Sequence, residues 1–296
     1  MGKRIFLFLV TNLAVVLVLS IVLSLLGVGR YVGPGGLDIQ ALAIFCFVWG
    51  MGGAFISLQM SRFIAKQATG AKTIDGHTGR EELDWLYATI ARLTQQANLP
   101  MPEVAVYESA ELNAFATGPS KSRSLVAVST GLLGSMRREE IEGVLGHEIT
   151  HIANGDMVTM TLLQGVINAF VMFFARAIAY VLTQRGGSRD SSRGNSYMMT
   201  WMVTMVLQIV LGILGSLVTA WFSRQREFRA DRGGATLAGR DHMIAALRRL
   251  AASHELVDTQ HQALATLKIN GGKSWMVFFS THPPLEARIA ALEHYQ

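Results

Sequence analysis

A single cysteine, Cys46, occurs among the 296 residues, which excludes an intrachain disulfide and a multi-cysteine zinc site. Any metal must be held by histidine and carboxylate. Charge is scarce too: Asp, Glu, Lys and Arg make up 16% of the chain against 50% hydrophobic residues, a balance that excludes an ordinary soluble domain and indicates a membrane protein. The formal net charge of +5 does not point to nucleic acid, because the Lys and Arg are spread through the chain, several beside apolar segments, and no nucleic-acid-binding motif is present. Internal repeats and long low-complexity tracts are absent as well.

Long apolar runs are abundant. Residues 5–28, 39–60, 157–182 and 197–222 are each near or above the roughly 20 residues that cross a bilayer, so four transmembrane helices in two hairpins are expected. Lys3 and Arg4 before the first run, with Arg62 and Lys66 after the second, place both ends of that hairpin in the cytoplasm. The first run is long and lacks a small-x-small cleavage site, which favours a retained anchor over a signal peptide. Loop 183–196 carries Arg185, Arg189 and Arg193 against Asp190, a poor fit to the outer side that leaves partial insertion of the second hairpin open. Arg176 inside the third run is costly in lipid and is expected to face another helix, water or a lipid headgroup. The remainder reads as a soluble domain in two parts, residues 61–156 and 223–296, divided by the hydrophobic hairpin 157–222 and preceded by the hairpin 1–60.

Within 61–156, residues 81–98 carry Leu83, Leu86, Ile90 and Leu93 at helical spacing, with Pro100 and Pro102 beyond the end. Residues 104–107 and 124–128 are short β-like runs flanking Asn113, Ala114, Phe115 and Ala116, so a small antiparallel sheet is expected. Ile141, Val144, Leu145, Ile149 and Ile152 recur with a helical period, Glu139, Glu140 and Glu142 suit the start of that helix, and Asn154 and Gly155 suit its end. Ser135 is a candidate N-cap without the full capping box, since Arg138 stands three positions on.

That helix carries His147, Glu148 and His151 in the pattern H-E-x-x-H. Spacing of i and i+4 puts both imidazoles on one face, where they can share one metal ion, and Glu148 is placed to act as a general base. A catalytic zinc usually takes a third protein ligand and keeps one position open. Asp156 is the nearest carboxylate, but on the same helix it would be rotated by about 140° from His151, which suits a helix-end or supporting role. Glu227 and Asp231 offer carboxylates at i and i+4; Glu227 is assigned to the metal and Asp231 to the far nitrogen of a ligand histidine. The bland alternative for residues 224–232 is a solvated helix start with local ion pairs.

His147-Glu148-Ile149-Thr150-His151, Asn154-Gly155-Asp156, Glu227-Phe228-Arg229-Ala230-Asp231, Asn113-Ala114-Phe115-Ala116 and Ser280-Thr281-His282-Pro283-Pro284 occur in this order. Together they resemble the motifs of the HtpX heat-shock membrane proteases, relatives of the CAAX prenyl proteases. The resemblance covers nearly the whole chain. It implies a mainly α membrane protein with a cytosolic α+β zincin-like (gluzincin) domain, one Zn2+ per chain, and a zinc metalloendopeptidase in the bacterial cytoplasmic (inner) membrane with its active site facing the cytosol. Its substrates would be misfolded or damaged membrane proteins and unfolded polypeptides, in a stress-response role overlapping that of other membrane proteases. Glu227 matches the family's metal ligand. The resemblance also implies that His282 approaches the zinc or the oxyanion, with Arg288 holding its segment, and that Asn113, Ala114, Phe115 and Ala116 form a substrate-binding edge strand.

Two rival readings differ in kind. An intramembrane metalloprotease would carry its motif within an apolar helix, whereas here the motif follows the charged residues 137–142 and precedes Asn154 and Asp156. A non-catalytic zinc-containing scaffold or chaperone adaptor would close the fourth metal position and tolerate loss of Glu148.

Overall fold

A computed structural model describes residues 15–28, 31–33, 36–185, 193–260 and 282–295. Lys3, Arg4, residues 5–14 of the first apolar run, Arg189, Asp190, His261, Ser280 and Thr281 lie outside the described residues.

Two units divide the chain, one of residues 1–57 and 160–219, the other of residues 58–159 and 220–296. In the first unit, helix α1 (Val15–Leu25) is followed by a short antiparallel pair, β1 (Val32–Gly33) and β2 (Gly36–Leu37). Three long helices follow in the chain: α2 (Ile39–Thr69), α6 (Asp156–Arg185) and α7 (Arg193–Ala238). Each contains a stretch long and apolar enough to cross a membrane, whereas α1 as described is shorter. Three candidate spans are therefore present among the described residues. Side chains such as Phe170, Phe174, Ile209, Val210 and Ile213 are exposed on α6 and α7, as expected of surfaces whose solvent is lipid.

The second unit is built on a four-stranded sheet of order β3-β4-β6-β5, from β3 (Lys72–Ile74), β4 (Glu103–Tyr107), β5 (Ala114–Ser120) and β6 (Arg123–Ser129). The expected antiparallel sheet is corrected to a mixed one: β6 pairs antiparallel with β5 but parallel with β4. β5 and β6 form a tight hairpin, and β6 rather than β5 lies against β4, so the connection from β4 passes over the place beside it and β6 returns there in the same direction as β4. β3, whose three residues carry little apolar pattern, pairs antiparallel with the other side of β4. β5 is left as an edge among the described residues.

One face of this sheet presents Val104, Val126 and Val128 to α3 (Glu81–Gln96) and α5 (Arg138–Asn154), which contribute Leu86, Ile90, Leu93, Leu145, Ile149 and Ile152 to a common core. The helical spacing read from Leu83 to Leu93 thus faces inward. Ser135 does not cap α5; it ends the preceding short helix α4 (Thr130–Ser135). Arg137 is the N-cap, and the Glu140 carboxylate folds back to accept its backbone N–H at 2.8 Å. Burial opposes charge on Glu140, but these hydrogen bonds from Arg137 outweigh it and hold the carboxyl below its ordinary range.

α7 passes from its apolar stretch to Ala238 without a break, and α8 (Arg240–Gln260) and α9 (Leu285–Glu293) complete the unit. α5 and α7 approach closely through glycine. A Cβ on Gly234 would lie 2.9 Å from the His147 backbone nitrogen, and one on Gly146 would lie 3.0 Å from the Gly234 carbonyl oxygen. Side chains at either position would force the two helices apart.

Candidate metal centre

Both imidazoles of α5 are buried, and their Nε2 atoms lie 3.0 Å apart. Glu227 on α7 is buried beside them, with Oε2 at 3.5 Å from His147 Nε2 and Oε1 at 3.4 Å from His151 Nε2. Donors of a tetrahedral zinc bonded at about 2.0–2.1 Å stand roughly 3.3–3.4 Å from one another. The 3.4 and 3.5 Å separations, one to each carboxylate oxygen, lie near that figure and the 3.0 Å between the imidazoles is shorter. Two imidazoles and a carboxylate are a donor set suited to a divalent ion of the zinc type, and the three residues form a group able to hold a metal.

The far nitrogens are also held. His147 Nδ1 donates to Asp231 Oδ1 at 2.9 Å, and His151 Nδ1 donates to Asp156 Oδ2 at 2.6 Å. Both Nε2 atoms are thereby turned toward Glu227. Arg288 on α9 in turn grips Asp231 with two bonds, Nε to Oδ2 at 2.8 Å and Nη2 to Oδ1 at 2.6 Å. His282, at the bend just before α9, places Nδ1 3.0 Å from Glu227 Oε2 while 62% of its side chain stays exposed.

Electrostatics follow from this packing. Burial opposes protonation of His147 and His151, yet the carboxylates bonded to them outweigh it, raising His147 and lifting His151 to about 9. Burial would likewise raise Glu227, but hydrogen bonds from His147, His151 and His282 hold it far below the carboxylate range. Asp231 is kept low against its burial by Arg288 and His147. The carboxylates therefore stay ionised, and a divalent cation would take up imidazole lone pairs that otherwise carry protons.

Glu148 is half-buried, and its Oε2 accepts the backbone N–H of Ala116 at 2.8 Å. Edge strand β5 thus touches the residue between the two histidines. Asn113 immediately precedes β5, and Ala114, Phe115 and Ala116 open it.

The sequence profile of peptidase family M48 matches residues 81–296, a span that holds every donor just described. The chain belongs to peptidase family M48. It is 53% identical over 295 residues to a "Protease HtpX homolog" of Paracidovorax citrulli, covering 99% of each chain. To "Protease HtpX" of Shewanella oneidensis it is 51% identical, over 98% of this chain and 99% of that one. The crystal structure of S. mikatae Ste24p shares the fold, with a TM-score of 0.63 at 18% identity, covering 99% of this chain and 66% of that chain. With its apolar helices, this M48 chain is a membrane metalloprotease.

Asp156 takes the helix-end, supporting place expected of it, but reaches His151 by a route that the reading of one continuous helix did not give. Gly155, at φ 69°, ends α5 in the left-handed region, so Asp156 begins α6 rather than extending α5, and its carboxylate swings back onto His151. The rotation of about 140° computed for one continuous helix therefore does not apply. Asn154-Gly155 was the available signal, since a glycine stop permits such a reversal. Asp156→Asn is expected to lower zinc affinity about 10–100-fold with the fold retained, read by titration in a zinc buffer. His242 lies apart from the donor cluster, 3.4 Å from Glu142.

Proposed function

We propose that this M48 protease is a zinc-dependent endopeptidase that cleaves misfolded or damaged membrane proteins at the cytosolic surface of the bacterial cytoplasmic membrane. Residues 61–156 and 223–296 supply the protease domain in this reading, and residues 1–60 and 157–222 anchor it. The observation that carries the proposal is the cluster of His147, His151 and Glu227, whose side-chain atoms approach one another at 3.0–3.5 Å, with Glu148 on the same helix between the two histidines. Zinc held there would supply Lewis-acid polarisation of the scissile carbonyl and a water acidified toward neutrality.

Glu148 takes a proton from the attacking water and delivers it to the leaving amine. His282, exposed on one side and tied to Glu227 on the other, is placed to donate to the oxygen that gains charge at the carbonyl. Arg288 holds Asp231, and through it the orientation of His147, while fixing the helix that follows His282.

An extended substrate pairs with β5. The Asn113 carbonyl accepts from Ser129 N–H at 2.9 Å, so alternation along an antiparallel pair turns the amide groups of Ala114 and Ala116 outward, as the bond from Ala116 to Glu148 illustrates. Proline at position 114 therefore removes an outward donor without breaking the ladder to β6. Ala114→Pro is expected to lower kcat/KM for unfolded substrates about tenfold or more with zinc content unchanged. Unaltered cleavage in that variant would count against strand pairing.

The function itself is tested with the purified full chain and an unfolded membrane-protein substrate. Cleavage is expected to stop on chelation and to return with added zinc. Cleavage that persists in chelator would overturn the assignment of a metal-dependent reaction.

A further inference from the structure

Arg176 is a guanidinium within an apolar helix, and nothing in the proteolytic site uses it. In the first unit it is half-buried, its Cζ 5.5 Å from the centroid of the Phe45 ring. One N–H, on Nη1, donates to the Met172 carbonyl at 3.1 Å; the remaining donors have no partner among the described residues. Phe45 packs between Tyr31, at 5.1 Å, and Trp49, at 6.2 Å, and the Trp49 indole nitrogen is buried with no acceptor among the described residues. Unfilled donors thus cluster around one ring.

Among the described residues this unit offers no counter-charge there. Asp38 is the one acidic residue among the described residues of this unit, and its Oδ1 accepts the Ala41 N–H at 2.9 Å to cap α2. Ile178, Val181 and Leu182 continue the exposed apolar surface beyond Arg176. If α6 enters the bilayer near Met160, where the unit begins, Arg176 stands about 24 Å along the helix within a hydrocarbon layer of roughly 30 Å. That is close to the far headgroups but still in lipid, where a lone cation is costly and takes an anion or a carbonyl as partner.

We propose that Arg176 is a lipid site, binding the phosphate of a glycerophospholipid in the leaflet at the hairpin (β1–β2) end of α2. The guanidinium presents paired N–H groups that match phosphate oxygens, and the Phe45 face holds it in place. Tyr31 and Trp49 are the aromatic types that populate this depth. The inference rests on the membrane-spanning reading of α2 and α6 and is independent of the protease mechanism.

The test titrates the full-length chain in detergent with phosphatidylglycerol, and separately with diacylglycerol of the same acyl chains, reading bound lipid by native mass spectrometry. The native chain is expected to retain phosphatidylglycerol with about tenfold or greater preference over diacylglycerol. Arg176→Met should lose about tenfold in affinity at that one site, and Arg176→Lys should keep part of it as a point charge. Circular dichroism checks the fold of each variant. Equal retention of the two lipids by the native chain, or full preference in Arg176→Met, overturns the proposal. Displacement of the lipid by millimolar inorganic phosphate would mark a free-anion site and overturn it too.

Discussion

Glu148→Gln is expected to bind zinc as the native chain does and to cleave unfolded substrate about 10²–10⁴-fold more slowly. The amide has the shape of the carboxylate, and its oxygen can still accept the Ala116 N–H that now lies 2.8 Å from Oε2. His147, His151 and Glu227 are untouched, so metal binding has no reason to change. What is lost is the ability to accept a proton from the attacking water. Metal analysis and kcat/KM on the same preparation separate the two effects. A variant with full activity would remove Glu148 from the mechanism and assign the proton transfer to another group.

Glu227→Ala is expected to lose both zinc and proteolysis. Its carboxylate is 1% exposed and lies against His147, His151, His282, Arg226 and Arg288. Removing it takes away one of the three groups able to hold a metal and leaves the neighbouring cationic groups without their common anion. Breaking a buried pair costs about 3–5 kcal/mol, which corresponds to a loss of roughly 10²–10⁴-fold if it falls on metal affinity. Zinc should therefore be absent from the variant at concentrations that saturate the native chain. Zinc retained at native affinity would mean that another residue completes the site.

These variants also mark how far local pattern reaches. The inward face of α3 and the helical period of α5 are local repeats, and both could be read from the chain, as could the two imidazoles on one helix face. Glu227 and Asp231 stood out as carboxylates at i and i+4, although they lie on the unbroken continuation of an apolar helix rather than on a solvated helix start. The parallel pairing of β4 with β6 could not be read, because it depends on which strand wins the place beside β4. β3 was missed because three residues carry too little alternation to stand above the noise.

The sequence by itself determined that the chain carries apolar runs of membrane length and that histidine and carboxylate are the donors it offers a metal, because composition and i, i+4 spacing are properties of short stretches. Only the tertiary structure decided how those groups meet. The reversal at Gly155 gives His151 its Asp156 partner, and the glycine contact of α5 with α7 sets the depth at which Glu227 arrives. The clamp of Arg288 on Asp231 then ties α9 to the same centre. Each joins residues distant in the chain or turns the backbone against its helical course, and such distances are fixed by packing, which no local pattern encodes.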